Sequence, residues 1–162
     1  MALAHVRMCR AGFYRYPQDG SWDLHNIACS SILPVDLNTF LYRMERNMAR
    51  LHEYMDNDLP ELPPDSTYRQ WTSERALFYA RASDLRAEAM ERYLWHEEEG
   101  MWKDHWLGSR PEGMPEVLSA SNFIPLWGGL ANHNGMTNEK TKERVHKIVQ
   151  RLQDSELLQV GR

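Results

Sequence analysis

The longest regular pattern of apolar residues lies between positions 37 and 55, where successive apolar residues are mostly three or four apart. This spacing places them on one face of an α-helix. Pro34 ends the apolar pair before it, and Asp36 is placed to cap the helix by accepting free backbone N–H groups. We therefore predict a helix over residues 36–56 whose buried stripe is Leu37, Phe40, Leu41, Met44, Met48, Leu51 and Met55.

A second helical pattern follows a connection, residues 57–65, that contains three prolines and therefore cannot continue the first helix. It begins after Asp65 or Ser66, either of which can act as its cap, and runs to about Tyr93. Two helices joined by a short loop pack as an antiparallel pair. The predicted core stripe is Trp71, Phe78, Leu85 and Met90, widened by Leu77, Ala82, Ala89 and Leu94, and the predicted solvent face is Arg75, Arg81, Asp84, Arg86, Glu88 and Glu91.

The last third of the chain alternates turns with two further helical segments. Glu98-Glu99-Gly100 indicates a turn between two aromatic pieces, with Gly100 at positive φ. Residues 108–120 read as a loop, and a short helix over about 125–130 follows, capped by Ser121 or Asn122. The final helix spans residues 138–153, capped by Thr137 or Asn138 and buried through Val145, Ile148, Val149 and Leu152.

The pattern as a whole predicts an all-α chain of about four helices in antiparallel pairs, with no strand of any length. Its composition, 42% hydrophobic and 26% charged over 162 residues, is that of a globular protein. The net charge of −4 argues against nucleic acid or an anionic membrane as the main partner. We expect no membrane segment, because no apolar run approaches the roughly 20 residues that span a bilayer.

Targeting and metal-binding signals are equally sparse. The first ten residues lack a signal-peptide pattern, and the compartment stays open. Cys9 and Cys29 form no CxxC motif, and the seven histidines form no HExxH or HxxxH motif. We therefore expect no metal site. The pattern leaves the oligomeric state open.

Three motifs, taken in order, carry a family resemblance. Residues 31–38 read SILPVDLN and lead into the first helix, Leu94-Trp95 precedes Gly100 and Asp104, and residues 122–127 read NFIPLW. This order resembles the trehalases, inverting glycoside hydrolases of trehalose catabolism that split α,α-trehalose into two glucoses. The resemblance implies an (α/α)6 barrel, of which residues 31–162 would be a partial catalytic domain. Residues 1–30 form a poorly matched N-terminal segment.

The resemblance also implies a catalytic mechanism. An inverting glycosidase needs one carboxylic acid and one carboxylate about 6.5–9.5 Å apart. The family's acid lies in a motif close to SGWDFSSRW, and Gly20-Ser21-Trp22-Asp23 resembles its beginning. Asp23 is therefore the candidate general acid, and Trp22 a candidate substrate contact. The general base follows a QWDxPxGWxP motif that this sequence lacks, so we expect a fragment with no activity alone, and no cofactor is implied.

Two other functions stay open at this stage. The apolar stripe of the first helix could bind a partner in a non-catalytic helical module. The chain could also belong to another (α/α)6 glycosidase, although the PVDLN segment favours trehalase. We expect Asp36 and Asn38 to serve capping and helix–helix hydrogen bonds, the acidic run 97–99 to be a solvated turn, and Trp95, Trp102 and Trp127 to pack in the core rather than line a sugar cavity.

Overall fold

The computed structural model describes residues 31–57, 63, 65–109, 118–132, 137–155 and 157. Within these residues it contains four α-helices and four strands of two residues each, which confirms the all-α class. In chain order the elements are β1 (Ile32–Leu33), α1 (Val35–Asn57), α2 (Thr67–Leu94), β2 (Trp95–His96), β3 (Met101–Trp102), β4 (His105–Trp106), a 3₁₀ helix (Ala120–Phe123), α3 (Ile124–Gly128), a 3₁₀ helix (Leu130–Asn132) and α4 (Asn138–Gln153).

Helices α1 and α2 form the predicted antiparallel pair. Glu45, near the middle of α1, contacts Arg86, whereas Asp56, at the end of α1, lies 3.9 Å from Arg69, near the start of α2. Partner numbers fall along α2 as they rise along α1, so the helices run in opposite directions. The predicted cap of α2 is confirmed, because the Ser66 hydroxyl accepts a hydrogen bond from the backbone N–H of Arg69 at 3.3 Å.

The predicted buried stripe of α1 is wrong. Phe40, Met44 and Leu51 are each about half exposed, at 50%, 51% and 51%. The opposite face of α1 packs inward instead. Its polar side chains hydrogen-bond to α2, and its small side chains allow α3 to approach closely. The buried residues of α1 are Val35, Asn38, Thr39, Tyr42, Glu45, Ala49 and His52.

The predicted stripe of α2 is also wrong over most of its length. Trp71, Phe78 and Leu85 are exposed, whereas Met90 and Leu94 are fully buried. Small side chains line the contact with α1 because they let the two backbones approach closely. Two members of the predicted solvent face, Arg86 and Glu91, instead form inter-helix ion pairs with Glu45 and Arg144. The inward residues of α2 are Thr72, Ala76, Ser83, Ala87, Met90 and Leu94.

The predicted hairpin after α2 is confirmed. Strands β2 and β3 pair antiparallel, with Trp95 opposite Trp102, and Gly100 has a φ of +63° in the turn. Trp102 is completely buried in the main core, which lies where the first half of α1 and the second half of α2 meet this hairpin, α3 and α4. The core is therefore concentrated at one end of the α1–α2 pair.

The last two helices follow the sequence prediction in part. Helix α4 has the predicted bounds and its Thr137 cap, and Ile148 is fully buried, but Val149 is exposed. Helix α3 ends at Gly128, earlier than predicted, because Gly129 adopts a φ of +86° and stops the helix. Residues 110–117, most of the predicted loop over 108–120, lie outside the described residues.

The described residues contain neither a membrane-spanning helix nor a cluster of metal ligands. None of their helices is both long and apolar enough to cross a bilayer. Nor do their His, Cys, Asp and Glu side chains form a group of three that could hold a metal ion.

Candidate functional site

The candidate acid Asp23 and the candidate substrate contact Trp22 both lie outside the described residues. The first residue that the structure describes is Ser31, eight positions after Asp23. We call residues 31–38 the junction, because they form β1 and the first turn of α1. The junction is therefore the described segment that lies nearest to Asp23 in the sequence.

Strand β1 anchors the first part of the junction to β4. The two strands pair antiparallel, with Ile32 opposite Trp106 and Leu33 opposite His105. One more backbone hydrogen bond extends the ladder, from the N–H of Leu107 to the carbonyl of Ser31 at 2.8 Å. Ile32 and Leu33 are themselves buried, at 3% and 6% exposure. Both backbone pairing and side-chain burial therefore hold this part of the junction.

The carboxylate of Asp104 meets the start of α1. Its Oδ1 accepts a hydrogen bond from the backbone N–H of Val35 at 2.7 Å. Asp36, the predicted cap, instead lies inside the first turn, and its Oδ1 accepts from the N–H of Leu37 at 2.7 Å. The prediction of Asp36 as the cap is therefore wrong, because α1 already begins at Val35, one residue before it. Two carboxylates stand at the positive end of the α1 dipole, where negative charge is stabilising.

Asn38 connects the junction to α2. Its Nδ2 donates to the carbonyl of Pro34 at 2.8 Å, and its Oδ1 accepts from the guanidinium of Arg86 at 3.0 Å. The side chain is fully buried, so both halves of its amide need these partners. Asn38 thus serves helix–helix hydrogen bonding, as predicted.

Arg86 completes this network through a two-point ion pair with Glu45. The donor–acceptor distances are 2.9 Å from Nε to Oε2 and 2.7 Å from the terminal nitrogen to Oε1. The two side chains are only 12% and 10% exposed. A bidentate pair at this depth fixes the rotation of both helices, so the position of Asn38, and through it that of Pro34, is set by α2.

A second network docks α4 on the hairpin. The guanidinium of Arg144 makes a two-point ion pair with Glu91, at 3.0 and 2.7 Å. The same group lies 3.6 Å from the centroid of the Trp95 ring and 4.9 Å from that of Trp102. On the other side, Asn122 donates to the carbonyl of Trp102 at 2.7 Å. Trp102 is thus a core residue, as predicted, and Trp95 packs partly buried against it.

Trp127 departs from the core prediction, because its side chain is 59% exposed. The guanidinium of Arg43 covers one face of its ring at 4.4 Å from the centroid and donates to the Trp127 carbonyl at 3.1 Å. Phe40 meets the same ring edge-on at 6.0 Å. The indole is therefore held in one orientation although it faces solvent.

The acidic turn after β2 is tied to α4 by charge. Glu97 accepts hydrogen bonds from the indole N–H of Trp95 at 2.7 Å and from Lys147 at 3.1 Å. The hydrogen bond from Trp95, followed by that from Lys147, lowers the pKa of the Glu97 carboxyl below its ordinary value. Glu98 is exposed, as expected for a solvated turn.

A cavity of about 310 Å³ lies beside this turn, between α2 and α4. Its wall carries three carboxylates, and each one is paired with a cation of the same wall. Such a cavity supplies structural ion pairs rather than a free acid or base. The lining residues are Glu91, Glu97, Lys140, Glu143, Arg144 and Lys147.

The residues that organise the junction were only partly visible in the sequence. Asp104 carries a signal, because it matches the family's aspartate after the Gly100 turn. Arg86 looked like one charge among many on a solvent face. A better signal was the spacing of Asn38, Glu45 and His52, which recur every seven residues and so form a polar stripe along one helix face.

Comparison with known proteins identifies the family. The sequence model of the trehalase family matches residues 13–162. A protein described as a probable trehalase, from Oryza sativa subsp. japonica, is 31% identical over an alignment of 149 residues. The match covers 86% of this chain and 24% of that relative. The chain thus spans about a quarter of the length of this curated relative. The family match includes Trp22, Asp23 and the whole junction, and we conclude that the chain belongs to the trehalase family.

Proposed function

We propose that this chain forms part of the catalytic domain of an enzyme that hydrolyses α,α-trehalose with inversion, in trehalose catabolism, and that Asp23 is its general acid. The observation that carries the proposal is the continuous family match over residues 13–162, which includes Asp23. The buried, hydrogen-bonded junction supports it, because it gives the segment that carries Asp23 a fixed point of attachment.

The chemistry needs two carboxyl groups with different tasks. Asp23 gives its proton to the oxygen that bridges the two glucose units, so that one glucose leaves with its anomeric configuration unchanged. A second carboxylate takes a proton from water, and the water attacks the anomeric carbon from the opposite face. The products are therefore one α-glucose and one β-glucose. The flat indole of Trp22 contacts the apolar face of one sugar ring.

The second carboxylate lies outside this chain in our proposal. The family motif that precedes the base is absent from the 162 residues, and the chain spans only 24% of the rice relative. Residues 31–162 would thus contribute part of an (α/α)6 catalytic domain. We accordingly expect the purified chain to release no more glucose from trehalose than buffer does.

A chimera tests the proposal directly. Residues 13–162 replace the matching segment of the rice probable trehalase, and glucose release from trehalose is measured. Removing a general acid slows catalysis by about 10² to 10⁴-fold, so Asp23→Asn should abolish most of the activity. Asp19→Asn makes the same change four residues earlier and should leave activity within about two-fold. Equal activity in the two variants would exclude Asp23 as the acid.

The exposed stripe of α1 favours a second candidate, a non-catalytic helical module that binds a partner. Phe40, Met44 and Leu51 present apolar surface of the kind that marks interaction sites. Size-exclusion chromatography of the purified chain tests this second candidate. A stable monomer at all concentrations would argue against an exposed adhesive face.

A further inference from the structure

We propose that Asp104 is a positioning residue for the reaction, and that it acts by fixing the junction from which the segment carrying the general acid extends. This inference rests on the proposed function, because it requires Asp23 to be the acid. Asp104 lies between β3 and β4, and it reaches the start of α1 across 69 positions of sequence.

Asp104 contacts the start of α1 directly. The Asp104 carboxylate accepts the N–H of Val35 at 2.7 Å, a short distance for a charge-assisted hydrogen bond. The N–H groups of the first helical turn have no partner within the helix. Val35 is completely buried, so water does not readily replace the carboxylate. Without Asp104 the N–H of Val35 would lose the acceptor seen here.

The residues that follow Asp104 along the chain hold the same segment. His105 and Trp106 pair with Leu33 and Ile32, and the N–H of Leu107 donates to the carbonyl of Ser31. Four consecutive residues, 104–107, thus hold residues 31–35 in register. Among these contacts the one from Asp104 is made by a side chain, so a substitution can remove it while the strand pairing stays.

The junction lies a short covalent distance from the proposed acid. Ser31 lies eight positions after Asp23, and an extended chain over eight positions spans at most about 28 Å. The junction is the first described anchor on the C-terminal side of Asp23. A displacement of the junction therefore moves the attachment of the acid-bearing segment. A misplacement of about 1 Å can reduce a rate by roughly 100-fold, because a proton donor must lie within hydrogen-bonding reach of the leaving oxygen.

The charge and the acceptor atom can be separated by substitution. Asp104→Asn keeps a carbonyl oxygen that can accept the N–H of Val35, and it removes the negative charge. Asp104→Ala removes both. If positioning is the role, the asparagine variant rescues the rate that the alanine variant loses. A residue that only adds negative charge at the helix N-terminus would lose as much in either variant.

The test uses the whole chain, inserted in place of the matching segment of the rice probable trehalase, with Asp23→Asn alongside. All variants are assayed well below their melting temperatures, so that lost stability does not register as lost rate. We expect Asp104→Ala to lower kcat by about ten-fold or more and to change KM by less than about two-fold. Asp104→Asn should recover kcat to within about three-fold of the parent, and Glu88→Ala, at an exposed position of α2, should leave both constants unchanged.

The outcomes separate this inference from the proposed function. If Asp23→Asn is inactive and Asp104→Ala keeps its full kcat, Asp104 has no positioning role. An unchanged kcat with a raised KM, or equal losses in the alanine and asparagine variants, would also overturn the inference. If Asp23→Asn stays active, the proposed function itself fails.

Discussion

Individual buried residues in this chain are often polar, and they carry the contacts between helices. Arg86 illustrates the point, since it pairs with Glu45 and also donates to Asn38. Hydrophobic periodicity cannot reveal such a residue, because a charged side chain on a helix is usually solvated. The sequence did predict the hydrogen bonding of Asn38, the burial of Trp102 and the positive φ of Gly100. Each of these follows from a local or motif-level signal.

Arg86→Met should destabilise the chain by about 3 kcal/mol, because it leaves the carboxylate of Glu45 buried without its cation. Glu45 is only 8% exposed. Arg81→Met, on the exposed side of the same helix, should change stability by less than about 0.5 kcal/mol. Urea unfolding followed by circular dichroism measures both variants. If the two variants lose the same unfolding free energy, leaving Glu45 without its cation does not destabilise the chain.

The double variant Glu45→Met with Arg86→Met provides a further check. It removes both charges and fills the space with apolar side chains, which is often close to neutral in a helix interface. We expect it to be more stable than Arg86→Met alone. If the double variant is the less stable of the two, the unpaired carboxylate is not the cause of the loss.

At the scale of elements, bounds were more predictable than packing faces. The sequence placed α2 and α4 nearly as observed, because Ser66 and Thr137 give clear capping signals. The prediction assigned the wrong buried faces to α1 and α2, because it assumed that the more apolar face of a helix packs inward. Whether a face is covered depends on which neighbours the chain provides, and local periodicity carries no information about them.

The close contact between α1 and α3 leaves no room for a side chain at residue 128. A Cβ atom at Gly128 would lie 2.6 Å from Cγ2 of Thr39, which is too close for van der Waals contact. Gly128→Ala should therefore destabilise the chain by about 1–3 kcal/mol, measured by thermal unfolding. Thr39→Ser removes the methyl group and should relieve much of this loss.

The matched control for this prediction is Gly108→Ala. A Cβ atom at Gly108 would meet no other atom within 4 Å, so its effect should be near zero. If Gly108→Ala and Gly128→Ala lower the melting temperature equally, or if Thr39→Ser gives no relief, α1 and α3 do not approach as closely as described.

The link between the hairpin and α4 predicts a dependence on pH. Hydrogen bonds from Trp95 and then Lys147 lower the pKa of Glu97 in the folded state below the ordinary value of 4.5. A depressed pKa stabilises the fold above the unfolded-state pKa, and this contribution is lost as pH falls through the folded-state value. As pH falls below about 5, the parent chain should therefore lose slightly more stability than Glu97→Gln loses.

The effect of Glu97 will be small, since its side chain is 71% exposed and solvent screens the pair. Glu98→Gln, one residue further along the exposed turn, is the control and should keep the acid dependence of the parent. Acid unfolding curves of Glu97→Gln and the parent that superimpose would contradict the assigned hydrogen bonds.

At the scale of the whole molecule, the fold class and the family could be recognised from sequence, because the order of the motifs was enough. The proposal of Asp23 as the general acid also comes from the sequence, from four residues that resemble the beginning of a longer motif. The structure adds something the sequence could not contain, which is the clustering of the core at one end of α1 and α2. Exposed apolar side chains lie along the outer faces of both helices, in a chain that spans 24% of its rice relative.

The exposed apolar surface predicts how the isolated chain behaves. Phe40, Met44 and Leu51 are each about half exposed, and contiguous surface of this kind promotes association. We expect the purified chain to self-associate as its concentration rises, and Met44→Glu to reduce this association. Light scattering measures the mass. Exposed Arg75→Glu is the control for added negative charge, and if it reduces association as much, the stripe is not responsible.

We propose that the chain belongs to a catalytic domain that hydrolyses trehalose with inversion through Asp23. The most direct test is proton NMR of the first products formed from α,α-trehalose by the chimera that carries residues 13–162, with Asp23→Asn beside it. We expect equal amounts of α- and β-glucose before mutarotation, and almost no product from Asp23→Asn. Only α-glucose, or equal rates from the parent and Asp23→Asn, would contradict it.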